Sequence, residues 1–159
     1  MKRAMLITGA SAGIGAAVAR LAARGGWDVG VGYNSDEQGA HAVVGSVERA
    51  GGRAAALQAD VGDPGAVAGM FARFEAEIGR MAAFVNNAGV VMPASRFEDI
   101  SAERLETIFR INQIGAFETW RRYDADRQSM IGGQLERIAG TRNLSKDTNE
   151  IVGKMLGAG

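Results

Sequence analysis

Across the first 118 residues, short apolar runs alternate with longer segments whose apolar positions recur at helical spacing. Ala4–Ile7 reads as a buried strand. Gly13–Arg24 brings Ile14, Val18 and Leu21 onto one helical face, and Gly25-Gly26 stops it. Asp28–Tyr33 is a second strand carrying Val29 and Val31. Asp36–Ala50 is a helix with Ala40, Val43, Val44 and Val47 facing inward, ended by Gly51-Gly52. Arg53–Gln58 is a third strand. Asp63-Pro64 is a helix start, with Asp as N-cap and Pro at the first helical position. That helix runs to Ile78, Met81–Val85 forms a fourth strand, and Ser101 caps a fourth helix that passes through Arg110. Strands and helices in alternation with short links predict an α/β chain: a Rossmann-like, doubly wound parallel sheet of four strands. Right-handed crossovers give the order 3-2-1-4, with the site at the carboxyl ends of strands one and four.

The pattern breaks near residue 119. Residues 1–118 hold 25 of the 28 Ala and 11 of the 12 Val, and nothing beyond them looks like a strand. We therefore divide the chain into a 1–118 strand-and-helix half-domain and a 119–159 helical tail. In the tail, Ile131, Leu135 and Ile138 form a helical stripe. Asp147-Thr148-Asn149-Glu150 is a capping box before Ile151, Val152, Met155 and Leu156, with a loop over Gly140–Ser145. A sheet that stops at four strands leaves strand four as an open edge with two apolar faces, to be covered by the tail, a second copy or another chain.

Composition narrows the chemistry. Eighteen basic and eighteen acidic residues cancel, which argues against nucleic-acid binding through bulk charge. There is no Cys and one His, His41, so thiol catalysis, a His-based metal site and a Ser-His-Asp triad have no residues to draw on. No apolar run reaches 18 residues, so no membrane span is expected. The basic start Met1-Lys2-Arg3 precedes too short an apolar stretch for a secretory signal, and a cytoplasmic location is expected. His41 is expected on the surface, and Trp27 and Trp120 in packing roles.

Thr8-Gly9-Ala10-Ser11-Ala12-Gly13-Ile14-Gly15 joins the first strand to the first helix. Glycines in such a turn let backbone approach a pyrophosphate, and the helix start offers free N–H groups and a positive dipole end. Asp60-Val61 follows the third strand, Asn86-Asn87-Ala88-Gly89 the fourth, and Asn112-x-x-Gly115 lies in the fourth helix. Together, in this order, these motifs resemble the short-chain dehydrogenase/reductase family over residues 1–118. The resemblance implies a Rossmann fold, an NAD or NADP cofactor, and hydride transfer between nicotinamide and a carbonyl or alcohol carbon. It implies that Gly9, Ser11, Gly13, Ile14 and Gly15 meet the phosphates and the neighbouring ribose. It likewise places Asp60 and Val61 at the adenine, and Asn87, Ala88 and Gly89 in the cofactor cleft. Asn112 matches the helix Asn of the family's catalytic tetrad.

Cofactor choice turns on Tyr33-Asn34-Ser35 at the end of strand two. An acidic residue there would accept from a ribose 2′-OH and repel a 2′-phosphate, whereas these neutral groups tolerate the phosphate. No Arg stands there, and position 12 is Ala where NADP-preferring relatives often carry a basic residue. NADP is the expected cofactor, with NAD the alternative.

The chain departs from the family in its proton chemistry. Family members use a Ser and a Tyr-x-x-x-Lys pair, the Lys lowering the Tyr pKa. Here Tyr33 is followed four residues on by Glu37, and Tyr123 by Arg127, whose guanidinium is no substitute for an ammonium. Of the tetrad, only Asn112 is present. The residues leave three readings open: a truncated cofactor-binding half of an oxidoreductase, catalytically incompetent as this chain; a non-catalytic nucleotide-binding module; or a chimeric or truncated gene product without independent function. Thr148–Val152 with Lys154–Gly157 is similar to the C-terminal helix of acyl-CoA dehydrogenases, which suits the last.

Overall fold

The structure, a computed structural model, describes residues 2–125 and 127. The elements run β1 (Ala4–Ile7), α1 (Gly13–Arg24), β2 (Asp28–Tyr33), α2 (Glu37–Arg49), β3 (Ala54–Gln58), α3 (Pro64–Glu77), β4 (Met81–Val85) and α4 (Ala102–Phe109). A short 3-10 turn, Phe97–Asp99, precedes α4, and a π-helical turn, Arg110–Ile114, follows it. Residues 115–122 are again α-helical. Contacts divide the chain into Met1–Arg122 and Tyr123–Gly159. The tail helices, their capping box and the likeness to acyl-CoA dehydrogenases lie outside the described residues.

The four strands form one parallel sheet in the order β3-β2-β1-β4, as the alternating pattern predicts. Strand sides alternate. Val29, Val31 and Tyr33 join Ala40, Val43 and Val47 of α2 and the alanines of α1 in one buried cluster. On the other face, α3 lies so close that a Cβ at Gly30 would stand 2.4 Å from the Phe74 ring, and one at Gly32 3.3 Å from the Met70 sulfur. Phe71, Phe84 and Trp120 extend this second layer, with successive ring centroids 5.5 Å apart. The last strand, β4, pairs only with β1 among the described residues.

Capping signals mark the helices well. Asp36 Oδ1 accepts from the Gly39 N–H at 2.9 Å, Asp63 Oδ1 from Gly65 at 2.7 Å, and Ser101 Oγ from Arg104 at 3.3 Å. The inward face of α1 differs from the expectation. Ile14 and Leu21 are 77% and 63% exposed, and the buried positions are Gly15, Ala16, Ala19 and Ala23. The helix approaches the β1 turn so closely that a Cβ on Gly15 would lie 2.4 Å from the Gly9 carbonyl oxygen. Only small residues fit that face, so close approach outweighs the pull of larger apolar side chains. Among the described residues no helix is long and apolar enough to cross a membrane.

The amino ends of the strands are held by a buried carboxylate. Asp28 accepts from Arg53 N at 2.8 Å and Arg53 Nε at 3.1 Å, while Arg53 Nη2 donates to the Ile78 carbonyl at 2.6 Å. Burial pushes the Asp28 carboxyl up, but the two hydrogen bonds from Arg53 and the charges of Arg53 and Lys2 outweigh it and hold the group below its ordinary range. A carboxyl depressed in the folded state stabilises above its unfolded pKa of about 3.9, and that contribution is lost as pH falls through the lower folded value. Asp28→Ala is expected to cost about 2 kcal/mol at pH 7 in urea unfolding, since it strands the Arg53 backbone N–H and removes the Arg53 Nε partner. The gap from wild type is expected to narrow as the pH drops below the ordinary carboxylate range.

Candidate functional site

Two backbone turns meet at the carboxyl edge of the sheet, one after β1 and one after β4. Thr8 is the hinge between them. Its Oγ1 accepts from the N–H groups of Asn87 and Ala88, both at 3.0 Å. Asn87 answers with its side chain, Nδ2 donating to the carbonyls of Thr8 and Gly9 at 3.0 Å each. Asn86 accepts from the Thr8 hydroxyl on Oδ1 at 3.4 Å and donates through Nδ2 to the Ala116 carbonyl at 2.9 Å. Gly9 sits at φ +62°, and a Cβ there would come within 2.9 Å of Ala88 Cα, so the two turns touch backbone to backbone. Gly13 has φ +55°, and the space its Cβ would occupy is open to 4 Å.

Beside this latch, α1 starts without help. Ala12 is its N-cap and supplies no side-chain acceptor, and no acidic residue stands in the first turn. The other three α-helices are all capped by side chains. The first N–H groups of α1 therefore have no side-chain acceptor at the helix start.

A cleft of about 230 Å³ runs along this edge. The structure brings Gly9, Ser11, Ala88 and Gly89 together on its wall with Tyr33, Asn34 and Ser35 from the end of β2. Asp60 and Val61, following β3, also line it. Gly13, Ile14, Gly15, Asn87 and Asn112 are not on the wall. Gly15 packs against the Gly9 turn, and Asn87 is occupied in the latch. Asn112 lies in the π-helical turn, where Oδ1 accepts from Val90 N at 2.7 Å and Nδ2 donates to Val90 O at 2.9 Å. Both ends of its amide hold the chain that follows β4.

Asp60 is likewise engaged on both oxygens. Oδ1 accepts from Gly62 N and Oδ2 from Arg110 Nη1, each at 2.8 Å. Burial raises the Asp60 carboxyl, while Arg110 and the Gly62 N–H outweigh it and keep the group below its ordinary range. Sequence reasoning passed over Met70, Val90 and Ile111, apolar positions that also line the cleft; Asp36, which it placed at the start of the second helix and past the end of strand two, lines it as well. Among the described residues there is no cluster of three metal-ligating side chains. Tyr33 is buried in the cleft wall, and Tyr123 receives Arg127 Nη1 on its hydroxyl at 3.5 Å.

The sequence model of the family described as "short chain dehydrogenase" matches residues 3–134, running past the boundary at 118. A second model, a domain of unknown function described as ARM repeats, matches residues 112–157. An uncharacterized oxidoreductase of Escherichia coli (strain K12) is 38% identical over 112 residues, 70% of this chain and 45% of the relative. A 3beta-hydroxysteroid dehydrogenase of Eggerthella lenta is 38% identical over 120 residues, 76% of this chain and 46% of the relative. The crystal structure of a short chain dehydrogenase from Burkholderia cenocepacia in complex with NADP is 35% identical, with a TM-score of 0.69, covering 76% of this chain and 48% of that one. The chain spans about half the length of the curated relatives it matches.

The Thr8 latch gives a stability test. Thr8→Val keeps the shape but removes the acceptor of two N–H groups, and is expected to lower stability by about 2–4 kcal/mol. Thr8→Ser, which keeps the oxygen, is expected to recover most of that loss in the same urea titration.

Proposed function

The chain belongs to the short-chain dehydrogenase family, and on that premise we propose that its first unit binds NADP(H) in the cleft at the carboxyl edge of the sheet. The observation that carries this reading is the uncapped start of α1 beside the positive-φ glycines Gly9 and Gly13. A pyrophosphate meets there the donors and dipole that the protein leaves unused. Open space at the Gly13 Cβ position and a small side chain at Ser11 suit a bulky anion. In this reading Gly9, Ser11, Gly13, Ile14 and Gly15 form the phosphate cradle. Tyr33, Asn34 and Ser35 face the adenosine ribose. Asp60 and Val61 bound the adenine, and Ala88 and Gly89 the nicotinamide side. Asn87 and Asn112 act by holding the turns that do the binding. When bound, the nicotinamide supplies the hydride donor or acceptor of the family's chemistry.

Support for NADP over NAD comes from the neutral Tyr33-Asn34-Ser35 stretch on the wall and from the Burkholderia cenocepacia protein solved with NADP. Asp36 also lines this end, but its carboxylate is engaged in capping α2. Carbonyl or alcohol oxidoreduction is the reaction class to which this binding belongs. The chain carries neither Tyr-x-x-x-Lys pair, so binding without appreciable turnover is the activity we assign to these residues alone.

Titration with NADPH and NADH, followed by nicotinamide fluorescence, tests this. Micromolar binding, tighter for NADPH, is expected, and Gly13→Val is expected to weaken it about tenfold or more through the strained φ and the filled cradle. No binding up to millimolar concentrations would refute the reading, and tighter binding of NADH would reverse the cofactor assignment.

A further inference from the structure

The cleft has an electrostatic problem. Two carboxylates line it, Asp36 and Asp60, and no Lys or Arg does. A nicotinamide dinucleotide brings at least two negative charges, and more when a 2′-phosphate is present. Uncompensated carboxylates on a partly desolvated wall repel such a ligand.

We propose that Arg110 is a positioning residue of this cleft, neutralising the Asp60 carboxylate from behind the wall so that the cleft accepts an anionic dinucleotide. The inference rests on the dinucleotide reading above. Arg110 opens the π-helical turn that follows α4, outside the lining, and its Nη1 reaches Asp60 Oδ2 at 2.8 Å across 50 residues of sequence. The guanidinium lies directly over the turn after β3: a Cβ on Gly62 would stand 2.0 Å from Arg110 Nη1 and 2.8 Å from its central carbon, so a side chain there would have to displace it. Gly62 also donates its N–H to the other carboxylate oxygen at 2.8 Å, which aims Oδ2 at the arginine. Both side chains keep substantial solvent exposure, 44% for Arg110 and 33% for Asp60, so the pair adds little to folding. Its effect falls on the ligand's charge: with Arg110 in place the Asp60 carboxylate presents a neutral pair to the cleft, and without it a bare anion.

The experiment compares the full chain with Arg110→Gln, Arg110→Lys and the double variant Asp60→Asn/Arg110→Gln, using NADPH and NADH as probes. Arg110→Gln is expected to weaken NADPH binding about fivefold or more at low ionic strength, and Arg110→Lys to keep most of the affinity. The double variant is expected to bind more tightly than Arg110→Gln alone, because the repelling charge is gone. The difference between wild type and Arg110→Gln is expected to shrink in about 0.5 M salt, where screening acts over a few ångströms. Equal affinity of wild type and Arg110→Gln would overturn the inference. So would a loss that persists in high salt and is not relieved in the double variant, since that is the behaviour of a prop for the turn. A wild-type chain that binds neither dinucleotide would overturn the cleft reading itself, and the inference with it.

Discussion

The hydroxyl of Thr8 and the amide of Asn87 are the interaction on which the rest of the site depends. In a parallel sheet the turns leaving adjacent strands have no ladder partners, and their polar groups must be satisfied by side chains. Here a single hydroxyl accepts two N–H groups of the β4 turn, and a single amide donates to two carbonyls of the β1 turn. The two turns are fixed against each other closely enough to exclude a Cβ at Gly9. Gly9 and Ala88, held together in this way, both stand on the cleft wall. Asn112 extends the same logic one step along the chain, clamping Val90 through both of its backbone groups.

Most of the fold was legible in the sequence because its punctuation is local. Gly25-Gly26 and Gly51-Gly52 stop helices, Asp36, Asp63 and Ser101 start them, and each acts within four residues of itself. The parallel order then follows from connection geometry. What the periodicity missed was the inward face of α1, because Ile14 and Leu21 dominate any hydrophobic count while Gly15, Ala16 and Ala19 control the approach distance. A stripe of small residues is a signal of close packing, and it runs along the same helix at the same spacing.

The site was legible as a set of positions but not as a set of roles. Gly9, Ser11, Tyr33 and Asp60 do line one cleft. Asn87 and Asn112 are spent on backbone. Arg110 gave no sign, since a surface arginine two residues before an asparagine has no local feature to mark it. Its partner lies 50 residues away in the turn after β3, where the guanidinium rests over Gly62. Such long-range pairs are carried by geometry, and a composition with balanced charge hides them.

The strand order has a kinetic meaning as well. The latch joins residues nearly eighty positions apart, Thr8 to Asn87 and Ala88, whereas the pairing of β2 with β1 and with β3 closes loops of about two dozen residues. Closing the longer loop costs more chain entropy and is compensated only when β4 docks. Loop-closure entropy therefore favours pairing of β1, β2 and β3 ahead of β4, and the part of the cleft wall that Ala88 and Gly89 supply exists only once β4 is in place. A ligand that bridges the β1 and β4 turns would stabilise the contact that is entropically the most costly to close.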